Sequence, residues 1–350
     1  MKKWAVAAAA LLLLFSGCSK KEETVKPLEP KEKVVDKVVE KEEKKEEAAY
    51  YFPLTGVKSE TKTDGRAVAV MINNHPKARP QSGLSKADIV YELIAEGDMT
   101  RFLAVFQSEK PANIGPVRSS RAYYIELAKG LNALYIAHGY SEEARQMLES
   151  NYVDNLNGMQ YDGTLFKRSS ARQAPHNSYI TYENILKGVE QKHYTMDKTP
   201  PSFTFLKEDE KSMVTGNEAK SVMISYSRGG ISDSTFTFDP QSGKYKRFSG
   251  GEQTVDLENN EPVLLDNIFI IEAVHEVYDS AGHLKVDLKS GGKAYLLQMG
   301  KVNEVNWENK DGRIVPVKDG QEVPLVPGKT WVNVVPAKPG LSQSVSFDVQ

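Results

Sequence analysis

Cys18 is the only cysteine in the chain, and it stands at the end of LLLLFSGC, behind Met1, Lys2, Lys3 and an unbroken apolar run from Trp4 to Phe15. With no second thiol no intrachain disulfide can form, and cysteine zinc sites and cysteine catalysis are excluded from the rest of the chain. A folded body downstream must therefore be held by its own core and hydrogen bonds. The basic start, an apolar stretch too short to span a bilayer comfortably, and Ser16 and Gly17 before the break describe a secretory signal at 1–17. The cysteine makes it a lipoprotein signal, whose thiol carries a diacylglycerol and becomes the first residue of the mature chain. A plain cleaved signal or an uncleaved anchor are the alternatives. The expected location is the outer face of the cytoplasmic membrane, with the membrane itself as first partner through the lipid.

Loss of residues 1–17 removes Lys2 and Lys3 and no acid, leaving 43 basic against 47 acidic side chains and a net charge near −4. That balance makes no direct case for nucleic acid, whose readers carry a strongly basic face. From Ser19 to Ala49 lysine and glutamate dominate and no aromatic residue occurs. Such a segment cannot bury enough apolar surface to offset its ordering entropy. Residues 18–49 are expected to be a lipid-anchored tether, in which VVDKVVEKEEKKEE has a helical spacing of valines.

The composition beyond residue 50 predicts an α+β or α/β domain over 50–195 and a mostly β domain over 196–350. Pro200 and Pro201 interrupt the pattern after a helix expected at Tyr182 to Gln191. Then follow strand-like runs, SVMISYS, STFTF, GKYKRF, NIFIIEAV, KAYLLQM and KTWVNVVP, separated by Gly, Asn, Asp and Pro. Runs of that kind point to a sandwich or open barrel.

In IVYELIAEGDMTRFLAVFQ two apolar runs flank Gly97 and Asp98, a pair suited to a two-residue hairpin turn. A regular hairpin places Ile89 opposite Phe106, Tyr91 opposite Ala104 and Leu93 opposite Phe102, with Asp88, Glu92, Glu96 and Arg101 on the other face. Glu92 and Glu96 then lie roughly 13 Å apart along one strand. That exceeds the roughly 5 to 9.5 Å of glycosidase carboxylate pairs, so ion pairing with Arg101 competes with an acid–base role.

IGPVRSSRAYYIELAKG reads as a loop entering a helix, with Ser119 or Ser120 as cap and Tyr124, Leu127, Ala128 and Leu131 at helical spacing. Arg118 and Arg121 fall at or just before its first turn, where the helix already carries about half a positive charge. A bound anion would relieve that conflict, and so would an internal carboxylate from Asp88, Glu92 or Glu96. His138 ends the strand ALYIAHG, and Ser141 caps a following helix. FKRSSARQAPHNSY contributes Lys167, Arg168, Arg172 and His176, and His75 lies in the loop INNHPKARPQSGL after the strand AVAVMI. These histidines have no metal-ligand spacing, so no metal and no cofactor is expected. Serine nucleophile elbows, zinc helices, phosphate loops, dinucleotide-binding glycine patterns and calcium loops are absent from the sequence. His275-Glu276 is expected to be cross-strand polar surface.

The long motifs NNHPKARPQSGLSKADIVYE, EGDMTRFLAVFQ, IGPVRSSRAYY, His138-Gly139 and APHNSY resemble those of the YerB-type bacterial lipoproteins, and NIFI, GGKAYLLQ and PGKTWVNVVP extend the resemblance to the C-terminal part. GYSEEA after His138 departs from the Gly-Ser-Pro-like turn of many members. The resemblance implies an anchored extracytoplasmic lipoprotein of Gram-positive type, with an N-terminal domain of unknown function, a smaller C-terminal companion and no established chemistry. Its recurrent polar residues fall on Asn73, Asn74, Arg79, Gln81, Glu92, Glu96, Arg101, Arg118, Arg121, His138, Arg172, His176 and Asn177, which suggests one shared pocket. Three functions are compatible with these residues: binding of an anionic wall polymer or fragment, a cell-envelope hydrolase using Glu92 or Glu96 with His138 or His176, and a scaffold for a protein partner. Whether the chain is an enzyme is left open by the sequence.

Overall fold

The structure, a computed structural model, describes residues 49–226 and 229–348. The expected signal, Cys18 and the tether through residue 48 lie outside the described residues. Apart from shorter pieces, the first half supplies β1 (Val68–Asn73), β2 (Ile89–Glu96), β3 (Met99–Phe106), α1 (Ala122–Gly130), β4 (Leu134–Ala137), α2 (Glu142–Glu149), β5 (Asn155–Asn157), β6 (Phe166–Arg168), β7 (Ser178–Thr181) and α3 (Tyr182–Gln191). The second half supplies β8 (Ser221–Ile224), β9 (Ser234–Asp239), β10 (Lys244–Ser249), β11 (Asn267–Ala273), β12 (Gly292–Gln298), β13 (Lys301–Lys310), β14 (Arg313–Lys318), β15 (Thr330–Pro336) and β16 (Val345–Phe347). The first half is thus α+β and the second mostly β, as the spacing of apolar runs and turn residues predicts.

These elements build a mixed central sheet in the order β14, β13, β12, β11, β15, β2, β3, β1, β4, β5. β15, late in the chain, lies between β11 and β2 and runs parallel to both. Residues 48–350 accordingly form one compact unit, and the change of character near residue 195 is a change along the chain whose two sides share a sheet. A second sheet, with core order β10, β9, β8, β16, comes from the second half alone.

Both faces of the central sheet are covered, which its strands require because residues of both parities are apolar. Met71, Tyr91, Leu93 and Leu103 join Tyr124, Leu127 and Leu131 of the α1 region in one core. Ile72, Val90, Phe102 and Trp331 join Ile185 of α3 and Val222 and Phe236 of the second sheet in the other. Full burial of each such side chain contributes about 1.5–3 kcal/mol relative to exposure.

The β2–β3 hairpin departs from the regular register. Glu96 pairs with Met99 around Gly97 and Asp98, but a bulge between Ile94 and Glu96 offsets the rest by one residue. Ile89 faces Val105, Tyr91 faces Leu103, Glu92 faces Phe102 and Leu93 faces Arg101, where a regular hairpin gives Phe106, Ala104, Ile94's partner Arg101 and Leu93's partner Phe102. A one-residue offset moves a side chain to the opposite face. Arg101 therefore sits on the Leu93 side, away from Glu92, and Glu96 crosses the bulge to join it. The expected common face of Glu92, Glu96 and Arg101 does not exist. The supposed polar face is a second buried face, on which Glu92 is fully buried.

Candidate functional site

β1, β4 and β5 run parallel, so their carboxyl ends open on one edge of the sheet, where open α/β sheets place ligands. The segment before α1 crosses this edge. Arg118 N–H donates to Met71 O at 3.0 Å and Arg118 O accepts from His138 N–H at 2.9 Å, which pins the arginine between the ends of β1 and β4. The expected serine cap is not used: Arg121 occupies the N-cap of α1 with no side-chain capping bond. Ser141 does cap α2, accepting from Ala144 N–H.

The residues singled out from the sequence fall into three groups. The first is an interior network around Glu92. Asn74, Thr100, Ser234, Arg247 and Trp331 all donate to its carboxylate, Thr100 Oγ1 at 2.9 Å and Trp331 Nε1 at 3.0 Å. The Arg247 guanidinium, 3.0 Å from Glu92 Oε2, lies over the Trp331 ring at 4.5 Å and the Phe102 ring at 5.0 Å. Arg79 borders this network: its Nε–H donates to Asn74 Oδ1 at 3.1 Å and its Nη2 to Ile231 O at 3.1 Å. Burial and the neighbouring Arg247 pull the Arg79 pKa down to about 10, so it remains charged at neutral pH. Glu92 ties β2 to β10 and β15, and with its acceptors filled and no water access it is a structural group.

The second group is Glu96 with Arg101 and Arg121. Arg101 Nη2 is 2.6 Å from Glu96 Oε2, and Arg121 pairs with Glu96 Oε1. This carboxylate supplies the negative charge that the start of α1 needs, so Arg101 and Arg121 are architectural. Neither Glu92 nor Glu96 hydrogen-bonds His138 or His176; the histidine nearest Glu96 is His283, at 4.0 Å.

The third group is open. Arg118 donates from Nη1 to Pro175 O at 3.2 Å, its buried Nε has no partner, and it pairs with no described carboxylate. Burial, reinforced by Arg101, lowers its pKa to about 10. Beside it the rings of His75 and His176 pack with centroids 4.4 Å apart. His176 Nδ1 lies 2.8 Å from Asn73 Nδ2, and His75 Nδ1 accepts from Lys77 N–H at 3.1 Å. Since an amide NH₂ can only donate, both neutral rings carry their proton on Nε2. Burial lowers both histidine pKa values, with Lys77 and Arg118 adding to the effect at each. Arg172 holds the neighbouring loop by donating to Ala78 O at 2.7 Å, Pro80 O at 2.6 Å and Tyr179 OH at 2.8 Å.

His138 is adjacent but separately engaged. Its Nδ1 is 2.7 Å from Ser178 Oγ and its Nε2 accepts from Arg168 Nη2 at 3.0 Å, while Arg168 is neutralised by Asp162 at 2.9 Å. Gly158 makes room for the ring, since a Cβ there would lie 2.2 Å from Nδ1. Among the described residues no group of three His, Cys, Asp or Glu side chains could hold a metal. A cleft of about 660 Å³ bordered by Tyr123, Met147, Leu284 and Lys289 lies elsewhere and carries none of these groups. The single pocket expected from the sequence is thus replaced by two closed ion clusters and one donor-rich rim. Arg247 was singled out by no motif, and Trp331 lies in PGKTWVNVVP without any short-range sign that its indole meets Glu92. His75 was visible as a loop histidine, but its pairing with His176 spans 101 residues.

The fold and these motifs define a two-part bacterial family, and the chain belongs to it. Residues 54–195 match the N-terminal domain, and residues 222–332 the C-terminal domain, of the family described as protein of unknown function (DUF3048). Over 338 residues the chain is 44% identical to "Putative lipoprotein YerB" of Bacillus subtilis (strain 168), with 96% of each chain covered. It also matches the crystal structure of the YerB protein from Bacillus subtilis with a TM-score of 0.79 at 45% identity, over 85% of this chain and 99% of that one. The resemblance read from the motifs is therefore a family membership, and the relative's name supports an uncharacterised lipoprotein.

Proposed function

We propose that this is a lipid-anchored extracytoplasmic protein that binds an anionic component of the cell envelope at the Arg118 rim. The observation that carries the reading is Arg118 itself, a half-buried guanidinium that donates to Pro175 O and pairs with no described carboxylate, beside His75 and His176. These groups offer donors with their acceptors already engaged, and an oxyanion is the ligand such a set favours. Arg121 and Arg101, expected among the ligands, are excluded by their pairing with Glu96; Arg172 acts by positioning the loop. Isothermal titration with inorganic phosphate and with a phosphodiester tests the reading: Arg118→Ala should lose at least about tenfold in affinity, or 1.4 kcal/mol. Unchanged affinity in that variant would remove the rim as the site.

Cys18 supplies the anchor on this reading. The Cys18→Ala protein should lose metabolic lipid labelling and either leave the membrane fraction or retain its signal. Full labelling of that variant would show that the thiol is not the acylated group.

A further inference from the structure

Lys77, Arg79, Arg118 and Arg172 share the rim, and none forms an ion pair with a described carboxylate. Their proximity is visible at the histidines, where His75 senses Lys77, Arg79 and Arg118, and His176 senses Lys77, Arg118 and Arg172. Glu92 and Glu252 act on Arg79, but on a chain with net charge −2 overall the remaining three, Lys77, Arg118 and Arg172, are a local excess of cations. A single phosphate monoester brings about −1.5 to −2 near pH 7, which leaves part of that charge unmatched.

The cations are also spread out. The Lys77 backbone N–H donates to His75, the His75 ring packs on the His176 ring at 4.4 Å, and the loop of His176 reaches Arg118 through Pro175 O. Arg79 continues the row towards the second half of the chain, where its Nη2 reaches Ile231 O. On the other side the row stops at His138, because Arg168 is already neutralised by Asp162.

Resting on the anion-binding reading above, we infer that the ligand is a chain carrying two or more phosphate groups, of the sugar- or glycerol-phosphodiester class, laid along the row from Arg118 past His176 and His75 to Lys77. Single-stranded nucleic acid fits less well because its binding uses aromatic platforms on which bases stack. The exposed tyrosines with side-chain partners lie on other surfaces, Tyr152 with Glu126 and Tyr278 with His283, and the two imidazoles of the row pack on each other. A carboxylate polymer carries one charge and two free oxygens per group, as a phosphodiester does, and is set against it directly in the titration below.

The test uses the soluble protein from residue 19 with its tether, titrated with glycerol 3-phosphate, a glycerol-phosphate trimer, polygalacturonate oligomers and an oligothymidylate of matched charge. The trimer should bind at least about tenfold more tightly than the monomer and show a steeper loss with salt. Lys77→Ala should remove most of the trimer's gain over the monomer, and its unchanged thermal unfolding would exclude a folding defect. Equal affinity for monomer and trimer would overturn the chain-ligand inference and leave the anion site standing. Equal or tighter binding of the oligothymidylate or the polygalacturonate would overturn the ligand class. If no phosphate compound bound the unmodified protein, the anion-binding reading itself would fall.

Discussion

Two arginines separate the interior of this molecule from its rim. Arg247 is almost completely enclosed, with Glu92 at 3.0 Å and aromatic rings on its faces, and its charge is matched inside the protein. Arg118 is half buried, its guanidinium donates to the Pro175 carbonyl, and it pairs with no described carboxylate. The contrast teaches that an arginine's burial says little about its role, whereas the presence or absence of a matching carboxylate says a good deal. A buried pair completes the fold; an unmatched cation at the ends of parallel strands is the one we propose for a ligand.

The comparison can be broken most forcefully at Arg247. Arg247→Ala leaves the buried Glu92 charge with neutral donors but no cation and should cost about 3–5 kcal/mol of unfolding free energy, read from urea denaturation. The double variant Glu92→Leu, Arg247→Met should recover much of that loss. A loss below about 1 kcal/mol in the single variant would mean that the network is not closed as described.

A second test asks whether Arg118 is dispensable to the fold. Arg118→Ala should change stability by less than about 1 kcal/mol, since no buried charge is left without its partner. In the same variant the His176 and His75 pKa values should rise, because a cation that depresses both has gone. NMR titration of the ring protons measures this directly, and unmoved values would place Arg118 away from the pair.

The smallest expected effect concerns pH. Burial lowers the folded-state pKa of His75 and His176, so the unfolded chain takes up protons first. Their contribution to stability is therefore lost as pH falls through the ordinary histidine range, near 6.5, towards the folded values. A phosphodiester beside them favours the protonated rings and reverses the sign for binding. Affinity for a phosphodiester, which does not itself titrate there, should rise as pH drops from about 8 to about 6. Affinity that falls over this range would separate the histidines from the ligand.

Local structure was legible in the sequence wherever its causes were local. The Gly97-Asp98 turn, α1 and α2, the cap at Ser141, and the strands VAVMI, NIFII and TWVNVV follow from turn chemistry and apolar spacing. The bulge at Ala95 was not legible, because alternation in IVYELIAE is equally compatible with a regular strand, and that single residue decides which side Arg101 takes. The insertion of β15 beside β2 was hidden as well: Asn333 and Glu92 become neighbours across 241 residues, a pairing that no short-range pattern encodes. Of the candidate site, the arginines before α1 pointed to the edge of the sheet at which the rim lies. Which of them is neutralised depends on where Glu96 lands, and the bulge sets that.

The most direct measurement follows the Arg118 Nε–H by ¹⁵N NMR while a glycerol-phosphate trimer is titrated into the protein. Arg118 lies at the rim with no described carboxylate, so ligand binding as described should shift its resonance saturably, together with the Nε2–H signals of His75 and His176, while the resonance of Arg247, held beside Glu92, stays in place. A ligand that binds without moving the Arg118 signal, or one that moves Arg247 and Arg118 alike, would contradict the distinction between a closed interior and an open rim.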